Sequence, residues 1–107
     1  MPGVYENWAD ERRSYYTEQF ARVTGALAKL SLAERRFAEA QRYAAESLKL
    51  DPFREDMHRL TLKVLAAQNK LPAAKKHYNE MRSMLRTELG VDGSPETLRL
   101  AAELGLE

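Results

Sequence analysis

Between Gly25 and Gly90 only two prolines, Pro52 and Pro72, interrupt the chain, and this spacing constrains the fold more than any other feature. Glycine and proline are the residues that most often end helices, so their rarity leaves long stretches free to be helical. Side-chain chemistry agrees. Leu and Ala each occur 15 times, Val four times and Ile never. The β-branched side chains that suit a pleated sheet are scarce, while strong helix formers dominate. An all-α fold follows.

Apolar residues at three- and four-residue spacing place the elements. A first helix is expected from Tyr5 to Ala33, with Trp8, Tyr15, Phe20, Val23, Leu27 and Leu30 along its stripe. Gly25 inside it costs about 1 kcal/mol against Ala, which suits either a close helix approach or a bend. A second helix spans Phe37 to Leu50, with Phe37, Ala40, Ala44 and Leu48 on one face. Asp51 and Pro52 read as the cap and first residue of a third helix, lined by Met57, Leu60, Val64 and Ala67. Asn69 tolerates the left-handed conformation needed to reverse the chain. Pro72 opens a fourth helix striped by Ala74, Tyr78, Met81, Leu85 and Leu89, which Gly90 ends. Ser94 and Pro95 cap and start a short closing helix with Leu98, Ala101 and Ala102 facing inward.

A longer period is superposed on these helices. Shifted by 34 residues, Lys29 meets Lys63, Ala33 meets Ala67, Phe37 meets Leu71 and Ala40 meets Ala74. That interval is the tetratricopeptide period. It predicts tetratricopeptide-like antiparallel helical hairpins, about five to six helices in an α-α superhelix. Residues 1–107 form one domain, with repeats near 21–54 and 55–88 and a closing helix near 95–104. Small Ala40 and Ala74 let paired helices approach, while Leu27, Phe37, Leu71 and Tyr78 are expected to fill the space between pairs. Arg86 stands where the repeat usually carries proline. Such a solenoid presents a face or groove to a partner.

The remaining signals exclude more than they assign. Lys and Arg total 17 against 16 for Asp and Glu, a net charge of +1, without the basic excess of a DNA-binding domain. Cysteine is absent, which rules out a disulfide framework or thiolate site and suits a reducing cytosol. No apolar run reaches the roughly 20 residues that span a bilayer, and no signal peptide opens the chain, so a soluble cytoplasmic location is expected. There is no phosphate-binding loop, no HExxH pair and no GxSxG elbow. Neither an enzyme nor a cofactor is expected. His58 and His77 are the two histidines. A hairpin reversing at Asn69-Lys70 sets His58 opposite position 82 rather than 77, so no shared metal site is read. Lys75, Arg82 and Arg86 share one face of the fourth helix, as a contact for nucleic-acid phosphates, a contact for an acidic partner, or a solvated face. Tyr5, Trp8 and Tyr16 suit an aromatic patch against a neighbouring domain, with internal packing as the alternative.

Several stretches together resemble a known family. Leu50 to Leu60, Tyr78 to Leu85, Glu88-Leu89-Gly90-Val91 and Ser94-Pro95-Glu96-Thr97 look like the bacterial transcriptional activator domain, and Trp8-Ala9-Asp10-Glu11-Arg12 resembles its first helix. The resemblance spans nearly the whole chain. It implies a regulatory tetratricopeptide-like domain of antibiotic-regulatory-protein-type activators. There it follows a winged-helix DNA-binding domain, and it supports dimerisation or contact with transcription machinery such as RNA polymerase. The winged helix is absent from this sequence, so no sequence-specific DNA reading by this chain is expected. The resemblance also implies that Asp51 and Pro52 cap helix three, and that Glu55, His58 and Arg59 form a charged motif holding the corner between helices two and three. Family members often carry glycine near Asn69 and proline at Gly93. The competing reading is a free-standing tetratricopeptide adaptor that holds a partner peptide.

Overall fold

The computed structural model describes the backbone of residues 2–107 and the side chains of residues 11–107. Five helices follow in order: α1 (Pro2–Ala33), α2 (Phe37–Leu50), α3 (Glu55–Ala67), α4 (Leu71–Leu89) and α5 (Pro95–Leu104). No strand occurs among the described residues. The all-helical, tetratricopeptide-like architecture is the one expected.

Short turns fold α1 against α2 and α3 against α4. Both turns use the same device. Arg35 (φ 60°) and Asn69 (φ 59°) sit in the left-handed region. The next amide then reaches back, Arg36 N to Ser31 O and Lys70 N to Leu65 O, each at 2.8 Å. These bonds satisfy carbonyls that the helix end would leave bare. Gly90 (φ 68°) ends α4 in the same conformation, and the Ser94 hydroxyl accepts the Thr97 amide to start α5.

α3 is the central element, packed against α1, α2, α4 and α5. Met57, Leu60 and Val64 join Ala28, Ala40 and Ala44 in one buried cluster. Leu62 and Leu65 join Tyr78, Met81, Leu85 and Leu106 in the other, with Ala74 and Ala101 between them.

The structure departs from expectation in three places. α1 is a single helix that runs unbroken through Gly25. Its buried face is Ala21, Thr24, Gly25, Ala28 and Ser31, and the large residues Tyr15, Phe20, Val23, Leu27 and Leu30 lie outside. Leu27 on α1 and Leu71 at the start of α4 are exposed and do not fill the space between hairpins. The small residues let α1 approach α2 closely, and that excludes bulk from the contact. The start of α3 also differs. It begins at Glu55, because Asp51 still donates its amide to Ser47 O and so closes α2. The Asp51 carboxylate accepts the Phe53 amide at 3.2 Å, an Asx turn rather than a cap for α3. At the edges of the fold, Ala67, Leu89 and Ala102 are exposed rather than inward.

Candidate functional site

Residues 54–59, at the start of α3, gather most of the long-range polar contacts. Arg54 Nη1 donates to the Ala21 carbonyl at 2.7 Å and to Ser47 Oγ at 3.0 Å, while its Nη2 donates to Asp56 at 2.9 Å. Ser47 Oγ in turn donates to the same Ala21 carbonyl at 2.9 Å. Asp56 also pairs with Lys29 at 3.1 Å. One guanidinium and one carboxylate thus fasten α1, α2 and α3 together. Gly25 makes room for this clamp beneath the guanidinium.

The other end of the motif reaches α5. Both oxygens of Glu55 accept the Ser94 amide, at 2.9 and 3.2 Å, and Oε2 accepts the Thr97 hydroxyl at 2.8 Å. Arg59 donates to Thr97 Oγ1 at 3.1 Å and pairs with Glu96 at 3.2 Å. Glu55 and Arg59 therefore pin the start of α5; the expected local salt bridge is present between them at 3.8 Å, but their longer-range contacts go to α5 rather than across the α2–α3 corner. The reason is geometric: the α4–α5 linker folds back over the first turn of α3. Burial opposes ionisation of Glu55, but the hydrogen bonds from Ser94 and Thr97 outweigh it and hold the carboxyl below its ordinary value. Asp56 behaves alike, its burial offset by hydrogen bonds from Arg54 and Lys29.

Of Glu55, His58 and Arg59, His58 is the one that serves the corner, and it also corrects the expected register. Its Nε2 lies 2.8 Å from the Pro52 carbonyl and its Nδ1 lies 2.9 Å from His77 Nε2. Position 77, not 82, faces His58. A carbonyl only accepts, so neutral His58 carries its proton on Nε2 and leaves Nδ1 to accept from His77 Nε2–H. Burial lowers both pKa values. The Pro52 carbonyl, Glu55 and Asp56 partly offset this for His58; for His77 the neighbouring His58 lowers further and Glu80 partly offsets. Two imidazoles do not make a metal centre by themselves. Among the described residues no group of three or more His, Cys, Asp or Glu could hold a metal ion.

The remaining candidates lie apart from this cluster. On α4, Lys75 is exposed, whereas Arg82 stacks over Tyr78 at 5.5 Å and sits 3.9 Å from Asp92. Arg86 hydrogen-bonds to the same Asp92, whose carboxyl it holds below the usual range. Two of the three stripe cations thus already share an internal anion. On α1, Tyr16 is 58% exposed, with Tyr15 edge-on at 5.7 Å and Arg12 over its ring at 5.9 Å. The side chains of Tyr5 and Trp8 lie outside those described. Ser94 caps α5 and Pro95 occupies its first turn. Sequence reasoning missed Ser47, Arg54, Asp56 and Thr97. Arg54 and Asp56 stood inside a recognised motif, but their partners lie too far along the chain for local spacing to name them.

The fold defines a class, the tetratricopeptide-like helical-repeat domain. Within it, this chain belongs to the bacterial transcriptional activator domain family, whose model matches residues 2–105. That is a family of regulatory domains of transcription activators. Neither the curated proteins nor the solved structures offer a match. No helix among the described residues is long and apolar enough to cross a membrane.

Proposed function

We propose that this chain is the regulatory protein–protein interaction domain of a DNA-binding bacterial transcription activator. The family match over residues 2–105 carries the reading. On this reading the domain works in the cytoplasm and fixes the orientation of an adjacent winged-helix domain or of a second protomer, or presents a face to RNA polymerase. On this reading it performs no catalysis, since its acids and cations near the start of α3 are engaged in holding the helices together. Nor does it read DNA. Net charge is +1, and Asp92 offsets Arg82 and Arg86 on the one basic stripe.

Removing the coding sequence from its host and profiling transcripts tests the proposal. A defined set of transcripts should fall and return with the wild-type gene. An unchanged profile under conditions where the chain is made would overturn it. In parallel, Lys75→Glu with Arg82→Glu should leave retention on DNA unchanged.

A further inference from the structure

Two hollows adjoin on one side of the fold, and only α1, α3 and α5 line them. They share Arg59, Lys63 and Glu96, so they form one trough that crosses the three helices in turn. α3 runs through its middle, with α1 packed on one side and α5 on the other. Leu32 and Leu100, each half-buried, give the trough an apolar floor toward its two ends.

The charges along this trough are of two kinds. Some are already paired, Lys29 with Asp56 at 3.1 Å and Arg59 with Glu96 at 3.2 Å. Others are not. Lys63 and Arg99 are exposed and make no ion pair or hydrogen bond among the described residues. Lys63 stands 34 residues after Lys29, so successive hairpins present a cation to the trough from the same point of the repeat. Glu103, one turn beyond Arg99 on α5, is the trough's unpaired acid. Two unpaired cations on neighbouring helices against one unpaired acid leave the trough with an excess of positive charge.

We propose that this trough holds an extended, acidic peptide segment of another protein. This deepens the interaction-domain reading and rests on it. Charge complementarity selects the sign of the partner. Spacing selects its form. Packed helix axes lie about 8–10 Å apart, and an extended chain advances about 3.3 Å per residue. Acids about three residues apart therefore meet Lys63 and Arg99 in turn, and apolar residues beside them rest on Leu32 and Leu100. A nucleic acid fits less well, because it carries a phosphate at every residue and sets some of them against Asp56, Glu96 and Glu103. A peptide can place its acids only where the cations are.

Fluorescence anisotropy of the full chain with three labelled peptides tests this. One carries Glu at every third position among Leu and Ala; in the others Gln or Lys replaces every Glu. The Glu peptide should bind at least tenfold more tightly than either, and added NaCl should weaken it. Lys63→Gln with Arg99→Gln should weaken binding at least fivefold, while Lys75→Gln, an equal loss of charge on another face, should leave it unchanged. Glu103→Gln should tighten it about twofold. Circular dichroism should show the wild-type helix signal in every variant, because these side chains are exposed and lie outside both cores. The proposal is overturned by a Glu peptide that binds no better than its Gln counterpart, or equally well to the Lys63/Arg99 variant. It is also overturned by a single-stranded oligonucleotide that displaces the peptide at lower concentration than unlabelled peptide does. Any of these results would leave the transcriptional reading to its own deletion experiment.

Discussion

A Cβ added at Gly25 would lie 2.5 Å from Arg54 Nη1 and 2.9 Å from Nη2. The guanidinium is the end of a flexible side chain, yet it is tied to Ala21, Ser47 and Asp56 and cannot move without breaking those bonds. Two effects therefore compete in Gly25→Ala. Helix propensity favours alanine by about 1 kcal/mol, while hydrogen bonds from a charged donor contribute about 1.5–3 kcal/mol each. The clamp should win, and Gly25→Ala should lower stability by about 1–2 kcal/mol. With Arg54→Ala in the background the same change should become neutral or stabilising. Urea denaturation of the four members of the cycle measures this, and additive effects would refute the clamp. The histidine pair gives a pH signature. Both folded pKa values lie below the ordinary histidine value of 6.5, so between the folded values and 6.5 the unfolded chain binds more protons. Stability is then fully present above 6.5 and falls as pH drops through the folded values. Unfolding free energy at pH 5.5 should be lower than at pH 7.5, and His77→Phe should flatten that slope. Equal slopes in the two proteins would remove the pair as its source.

Glu55 makes the test at the level of one helix. It accepts the Ser94 amide and the Thr97 hydroxyl, so it holds the first turn of α5 against α3. Glu55→Gln keeps the shape but loses the charge, and should cost about 1–3 kcal/mol. The loss should show first as faster amide hydrogen exchange across residues 95–104, with α2 unaffected; uniform acceleration in every helix would instead mean a general loss of stability. How legible each element was follows from what its packing needs. α3 and α4 bury large residues such as Met57, Leu60, Tyr78 and Met81, so hydropathy periodicity found those faces. It missed Leu62 and Leu65 on the second buried face of α3, because a helix buried on two sides shows no single stripe. α1 buries Ala21, Thr24, Gly25, Ala28 and Ser31, which weigh little on any hydropathy scale. Its large apolar residues lie on the adjoining face, so periodicity pointed to the wrong side. The motif 54–59 was visible as a string, but its role depends on Ser47, Ala21, His77 and Thr97, brought close only by folding. Likewise the left-handed turn at Asn69 was readable from residue type, whereas Arg35 in the same conformation carried no such signal.

Taken whole, the molecule is a flat slab of 56 × 33 × 19 Å whose radius of gyration, 15.9 Å, exceeds the about 13 Å expected of a compact chain this long. Its apolar interior is split into two clusters, and α3 contributes to both. Neither is large. Domains of this size have about 5–15 kcal/mol of stability in total, so half a core could not hold its helices alone. The consequence is that the clusters should not melt separately. Leu62→Ala acts on the α4–α5 side and Val64→Ala on the α1–α2 side, and both residues are fully buried. Leu62→Ala should cost about 2–5 kcal/mol and Val64→Ala somewhat less, since fewer methyl groups are removed. Each should shift one cooperative transition of the entire chain, whether followed by far-UV circular dichroism or by hydrogen exchange in the hairpin not mutated. Were Leu62→Ala to melt α4 and α5 at a temperature where α1 and α2 stay protected, the two hairpins would be independent units. α3 would then belong to one of them, and the motif at its start would serve as a hinge between hairpins instead of a common anchor.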